Sequence, residues 1–268
     1  MRVLDYSAGR PGAAAIKAAG FAGALRYLPK KGHSDVVALS ASEVADFRAH
    51  GLLLGLIYED PRADWMLGGF EVGRDRAEFA LAQARALGLD QPRCIYLADD
   101  QPQSSSGVAR VMQTLDGARS VLGLATGVYG FRATILAAMQ QRKAFRFWQT
   151  GRREDLVAGC HLYQRSQTVT VAGVICDIDD VLQPDFGQHL EEDDMARICI
   201  VVAPGRPELV YYDTGVVKAL ANGAEKSALL RVARLLQPSV PTAILTAADY
   251  DAFLGEVGRD ARSDTEKG

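Results

Sequence analysis

Eight short apolar runs punctuate the chain between Arg2 and Ile178, and each of the first five is followed by a helix-length segment. The runs are Arg2 to Asp5, Gly23 to Tyr27, Leu52 to Tyr58, Cys94 to Ala98, Gly127 to Gly130, Phe145 to Gln149, His161 to Gln164 and Gly173 to Ile178. This repetition limits the fold more than any other feature. A strand that returns through a helix re-enters its sheet in the same direction, so the pattern calls for a largely parallel sheet covered by helices. The helix signals agree. Pro11 opens a small-residue helix that stops at Gly20, and Ser40 with Glu43 forms a capping box whose helix ends at His50-Gly51. Val72 to Leu87 reads as a third helix. Val108, Val111, Met112, Leu115 and Leu122 keep helical spacing, and Phe131, Ile135 and Met139 mark a fifth helix. No helix fits between the last two strands. The expected fold is α/β: an eight-stranded TIM-like (β/α) barrel over residues 1–188 with about five helices and three closing strands. An open doubly wound sheet is the competing arrangement, weakened because no GxGxxG or GxxxxGK[ST] pattern follows an early strand.

Past the barrel, residues 189–195 read as an acidic linker containing Glu191-Glu192-Asp193-Asp194. Residues 196–268 then show a fresh pattern, with strands expected at Arg197 to Ala203, Glu208 to Tyr212 and Thr242 to Leu245, and a helix from Ala224 to Leu236. Ala247 to Leu254 completes a small α/β attachment or assembly domain. So short a segment buries only a marginal core, so a second copy of the chain or virion proteins are its expected partners.

Composition narrows the function. A net charge of -3 supplies no basic excess for phosphates, which argues against nucleic acid. No run of apolar residues is long enough to span a membrane. The four cysteines contain no CxxC pair, and the four histidines lack HExxH spacing, so no metal and no cofactor are expected. A nucleophilic GxSxG is also missing. The opening MRVLDYSAGRP cannot act as a secretory apolar segment. The chain is therefore expected to be made in the cytoplasm without an export signal, and to reach its target in a phage virion or at lysis.

The informative residues are acids at strand ends: Asp5, Glu59-Asp60, Asp99-Asp100, and Asp177 with Asp179. Any one of them reads equally well as a turn or helix cap. Together, on successive strands of one barrel, they point carboxylates at one rim, where barrel enzymes hold their sites. Crowded carboxylates raise one another's pKa, which keeps one protonated as a general acid and suits glycosidic bond hydrolysis. Aromatics expected at the same rim are Tyr6, Tyr27, Tyr58, Tyr96, Tyr129, Trp148 and Tyr163. Gln149 and Gln164 each follow an aromatic and offer both donor and acceptor to sugar hydroxyls. Arg26 stands beside Tyr27, where it binds substrate or pairs with a rim carboxylate.

The segments LDYSAGRP, RYLP, LIYED, CIYLADD, GVYG, FWQTG, LYQR and VAGVICDIDDVL, in that order, carry a family resemblance. Residues 1–188 resemble a glycoside-hydrolase-like TIM-barrel family of actinobacteria and their phages, itself similar to the family 25 lysozymes. The resemblance implies a lysozyme-like hydrolase of peptidoglycan or a related glycan. It places Asp100 at the general-acid position, with Asp5 and Asp177 matching the acids of the first and last strands. Alternation agrees, because Tyr96, Ala98 and Asp100 share one face. The resemblance expects a second acid where Ala98 stands. Either Asp5, Asp177 or Glu59 substitutes, the substrate's N-acetyl group assists, or the barrel is an inactive glycan-binding or virion module. The expected catalytic set is Asp100, Asp5, Asp177 and Glu59; the expected substrate-binding set is Tyr6, Arg26, Tyr58, Asp99, Tyr129, Trp148, Gln149, Gln164 and Asp179.

Overall fold

The computed structural model describes residues 1–33 and 37–189, together with the strand segments 198–202, 209–212, 217–219 and 242–244. The chain divides into two units, Met1–Glu191 and Glu192–Gly268.

The first unit is a closed barrel of eight strands in chain order. The strands are β1 (Arg2–Tyr6), β2 (Gly23–Tyr27), β3 (Leu53–Tyr58), β4 (Ile95–Asp99), β5 (Thr126–Gly130), β6 (Arg146–Gln149), β7 (Leu162–Val171) and β8 (Val174–Val181). The helices are α1 (Ala13–Ala18), α2 (Ala41–His50), α3 (Phe70–Ala86), α4 (Ser105–Leu122) and α5 (Arg132–Gln140). The capping box is real: Ser40 accepts from the Glu43 amide at 3.3 Å, and Gly51 ends α2 in the left-handed region at φ 62°. Ser104 caps α4 in the same way, accepting from Gly107 N at 3.2 Å.

β1 to β7 are parallel neighbours throughout. β8 runs antiparallel to both β7 and β1. The cause is local. Ala172 and Gly173 form a two-residue turn with φ of 46° and 83°, the geometry that closes a tight hairpin. This corrects the expectation that Asp177 and Asp179 end a strand at the rim. They lie mid-strand, with Asp177 opposite Asp5 and Asp179 one step deeper, opposite Val3.

Alternation divides the apolar residues into two sets. Leu4, Ala24, Leu56, Leu97 and Val128 face the helices. Val3, Leu25, Ile57, Tyr96, Trp148 and Leu162 fill the barrel interior together with Phe186, which arrives after β8. Phe186 packs with Leu53 and Val181 at the end where the parallel strands begin, and its carbonyl accepts from Tyr96 Oη at 2.7 Å. Gly187 beside it has φ of 83°, and a Cβ there would lie 2.2 Å from Cys94 Cβ. His189 then bridges to Leu54. Cys94, Cys160 and Cys176 are buried free thiols.

α3 and α4 meet at two glycines. A Cβ on Gly73 would sit 1.9 Å from Thr114 O, and one on Gly117 would sit 1.9 Å from Phe70 O. Gly117→Ala therefore lowers stability by about 1–3 kcal/mol through overpacking, which outweighs the gain of up to about 1 kcal/mol in helix propensity. A thermal melt at or above the wild-type midpoint would refute this.

In the second unit, β9 (Ile198–Val202), β10 (Leu209–Tyr212), β11 (Val217–Ala219) and β12 (Thr242–Ile244) form one sheet in the order β11-β10-β9-β12. Only β12 joins in parallel, against β9. β11 is a strand that the sequence pattern missed. The acidic run at 191–194, the expected helix over 224–236 and the segment 247–254 lie outside the described residues. Among the described residues, no helix is long and apolar enough to cross a membrane.

Candidate active site

The mouth lies where β1 to β7 end. Interior-facing side chains there form one hydrogen-bonded chain. Gln164 Nε2 donates to Asp5 Oδ2 at 2.9 Å, and Tyr27 Oη donates to Asp5 Oδ1 at 3.3 Å. Tyr129 Oη lies 2.7 Å from Gln164 Oε1 and 3.4 Å from Asp100 Oδ1. Beneath them Trp148 Nε1 donates to Asp179 Oδ1 at 2.8 Å, and its ring centroid lies 4.5 Å from that of Tyr129. Lys30 Nζ holds Glu59 Oε2 at 2.7 Å, with both side chains partly exposed. Asp100 is exposed, Asp177 is partly buried, and Asp5 and Asp179 are buried.

Crowding sets the electrostatics. Partial burial raises the Asp100 carboxyl above its ordinary value, and Glu59 and Asp177 add to this against the Tyr129 hydrogen bond. Burial pushes Asp5 up to about 6; the Gln164 hydrogen bond lowers it and Asp177 raises it. Asp179 goes well above the carboxylate range, first through burial and then through Asp5. Asp177 is raised by burial alone. Among the described residues, no group of three or more His, Cys, Asp or Glu is arranged to hold a metal ion.

Several expected contacts lie elsewhere. Tyr6 and Arg26 point into the helix layer, where Tyr6 Oη donates to Glu43 at 2.9 Å and Arg26 Nε donates to it at 2.7 Å. Tyr58 packs edge-on against Trp65, 5.6 Å between centroids, and its hydroxyl reaches Asp60. Asp99 accepts from Thr134 Oγ1 at 2.6 Å and from Gln103 at 2.7 Å. Gln149 holds the β6–β7 loop through Asp155 O at 3.0 Å and Val157 N at 2.9 Å. Each of these lies one residue from an interior position, and in a strand one step reverses the face. Trp148 and Asp179 do face inward, at 1% and 0% exposure, and form the floor beneath the mouth. Tyr96, for which core and rim are equally good readings of the sequence, is barrel core, and Tyr163 turns outward from its expected rim position with its hydroxyl on Gly151 O at 2.9 Å. Tyr27 takes its expected place at the rim, though it was outside the expected substrate-binding set, and Lys30 joins the mouth without having been expected there. Tyr27 was legible, since it shares a face with Leu25; Lys30 lies on a loop that carries no periodicity.

A closed barrel with an antiparallel eighth strand and carboxylates gathered in its mouth defines a glycoside-hydrolase-like domain. Residues 14–182 match the Rv2525c-like, glycoside hydrolase-like domain family, and the chain belongs to it. Rv2525c of Mycobacterium tuberculosis, by its name a candidate peptidoglycan hydrolase, is 32% identical over 199 residues, which span 69% of this chain and 82% of that protein. The crystal structure of Rv2525c in complex with HEPES superposes with a TM-score of 0.64 at 31% identity, covering 70% of this chain and 98% of that one. The modular autolysin LytC from Streptococcus pneumoniae shares the fold, with a TM-score of 0.50 at 11% identity over 66% of this chain and 46% of that one. Rv2525c is a Tat-secreted protein, and this overturns the expectation of a chain made without an export signal and carried in a virion or freed at lysis. Nothing in these relatives supports the inactive virion module.

Proposed function

We propose that this chain is a peptidoglycan hydrolase that cleaves a glycosidic bond of the wall glycan outside the cytoplasm, with Asp100 as general acid and Asp5 as the opposing carboxylate. The observation that carries this reading is the direction of the hydrogen bonds. An ionised Asp5 only accepts, so the amide nitrogen of Gln164 faces it and the amide oxygen faces Tyr129. The one phenolic proton of Tyr129 then goes to Gln164, its shorter contact. The contact of Tyr129 with Asp100 is long, at 3.4 Å, and does not offset the burial and the neighbouring Glu59 and Asp177 that raise the Asp100 carboxyl. Two donors thus support charge on Asp5, while among the described residues Asp100 has only the one long contact, a division of roles that suits glycosidic cleavage. Asp100 gives its proton to the leaving oxygen as the glycosidic bond breaks, and the water that then adds to the anomeric carbon returns a proton to it. Asp5 stabilises the positive charge that develops on the sugar, taking over from the acid that Ala98 replaces. Asp177 and Glu59 orient the substrate, and Tyr129 and Gln164 contact its hydroxyls.

The pH dependence follows. Asp5 works when ionised and Asp100 when protonated. Burial raises Asp5 to about 6, further than Asp100 is raised, so the working pair is a minority of the free enzyme, and kcat/KM rises with pH through the Asp100 value and falls through about 6. Release of new reducing ends from purified peptidoglycan, followed across pH, tests both limbs. Wall binding without turnover, or a profile flat through the Asp5 limb, would defeat this reading.

A further inference from the structure

The mouth contains one carboxylate with no role so far, Asp179. Its Oδ1 is taken by Trp148 Nε1 at 2.8 Å. Its Oδ2 is fully buried and, among the described residues, has no hydrogen-bond partner. The β1–β8 register puts Val3 opposite Asp179 and Asp5 opposite Asp177, so Asp5 and Asp179 are diagonal neighbours on the interior face. The two carboxyls lie close enough to act on each other, and the unpartnered Oδ2 leaves Asp179 an atom free to bond Asp5. Two carboxyl groups make such a bond only when one of them carries a proton.

The surroundings decide which one. The groups facing Asp179 are Asp5 on β1, Asp177 on its own strand, Tyr27 on β2, Tyr96 on β4, Tyr129 on β5 and Trp148 on β6, none of them a cation. Asp5 receives two donors, Gln164 and Tyr27, and faces the mouth with Asp177 and Asp100. Among the described residues, Asp179 receives only the indole. Charge is therefore better tolerated on Asp5, and the proton stays on Asp179.

We propose that Asp179 is a positioning residue that keeps its proton and donates it in a hydrogen bond to Asp5, holding Asp5 as an acceptor-only carboxylate aimed into the mouth. The three donors, from β2, β7 and β8, then fix the orientation of Asp5 before any sugar arrives. The importance for turnover rests on the function proposed above; the shared proton itself does not, and it can be observed without substrate.

The test is infrared difference spectroscopy on the full chain with carbon-13-labelled aspartate. At neutral pH the wild type should show the C=O stretch of a protonated, buried carboxyl, and Asp179→Asn should lack it. Asp5→Asn should keep the band but shift it, because its hydrogen-bond acceptor changes from a carboxylate to an amide. A wild type without the band, or an Asp179→Asn variant that retains it, overturns the proposal. If Asp179→Asn fails to fold, the wild-type and Asp5→Asn spectra still decide the matter. Turnover adds a second reading. Asn retains a donor toward Asp5 and an acceptor for Trp148, so Asp179→Asn should keep kcat within a few-fold and leave the Asp5 limb in place. Asp179→Leu has no donor and should move that limb upward by about one pH unit. An Asp179→Asn variant that folds yet is as inactive as Asp5→Asn would show that Asp179 acts ionised, against the proposal. If no protein turns over peptidoglycan while the band behaves as described, the function proposed above fails and the shared proton stands.

Discussion

Asp100→Asn should turn over peptidoglycan more slowly than wild type by a factor of about 10²–10⁴, the contribution of a positioned general acid. Asn keeps the shape and polarity of the side chain and removes only the proton to be donated. Asp100 is exposed, and its one side-chain hydrogen bond, to Tyr129, is long at 3.4 Å. The melting transition should therefore stay where it is, which separates lost chemistry from lost folding. The neighbouring residue provides the control. Asp99 faces the other way and ties β4 to Thr134 and Gln103. Asp99→Asn should alter stability while leaving turnover within a few-fold. Reducing-end assays and melts on the three proteins suffice. Equal turnover by Asp100→Asn and wild type would remove Asp100 from the mechanism.

The largest loss of stability is expected at Glu43, outside the mouth. Glu43 accepts from Arg26 Nε at 2.7 Å, Tyr6 Oη at 2.9 Å and Arg10 Nε at 3.2 Å. Arg26 is wholly buried, its guanidinium stacked 4.1 Å from the Tyr6 ring centroid. The exposed Arg10 contributes little. Glu43→Ala leaves the Arg26 charge buried without its counter-ion, a change that costs about 3–5 kcal/mol. The double change Arg26→Met with Glu43→Leu should recover much of that, because the desolvation of both charges goes with them. Urea unfolding measures both. A loss below about 1 kcal/mol for Glu43→Ala would show that water reaches Arg26 and that the pair behaves as a surface ion pair.

The barrel was legible because its signals are local and repeated. Strand-length runs, the Ser40 and Ser104 caps and the left-handed Gly51 each announce themselves within a few residues. The direction of β8 was not read, although Ala172-Gly173 carries it: glycine favours positive φ, while alanine there takes it only under the pull of the hairpin. That one missed turn put Asp179 at the rim instead of beneath Asp5. Alternation was applied to β4, where it turned Asp100 inward. Applied equally to β1, β2, β3 and β6, it would have sent Tyr6, Arg26, Tyr58 and Gln149 to the helix side, where they lie. The network linking Gln164 to Asp5 across 159 residues has no sequence signal, because it exists only once the barrel closes.

Phe186 bears on where this domain ends. The family match stops at residue 182, yet the side chain that stoppers the barrel arrives four positions later, and the His189 bridge to Leu54 comes after that. A fragment of residues 1–182 would contain every barrel strand and every mouth residue and would still lack its cork. Water would then stand against Leu25, Ile57 and Tyr96 from below, in a cavity emptied of an aromatic ring. Kinship and packing draw different borders here. The smallest piece of this chain that is a finished object runs through His189.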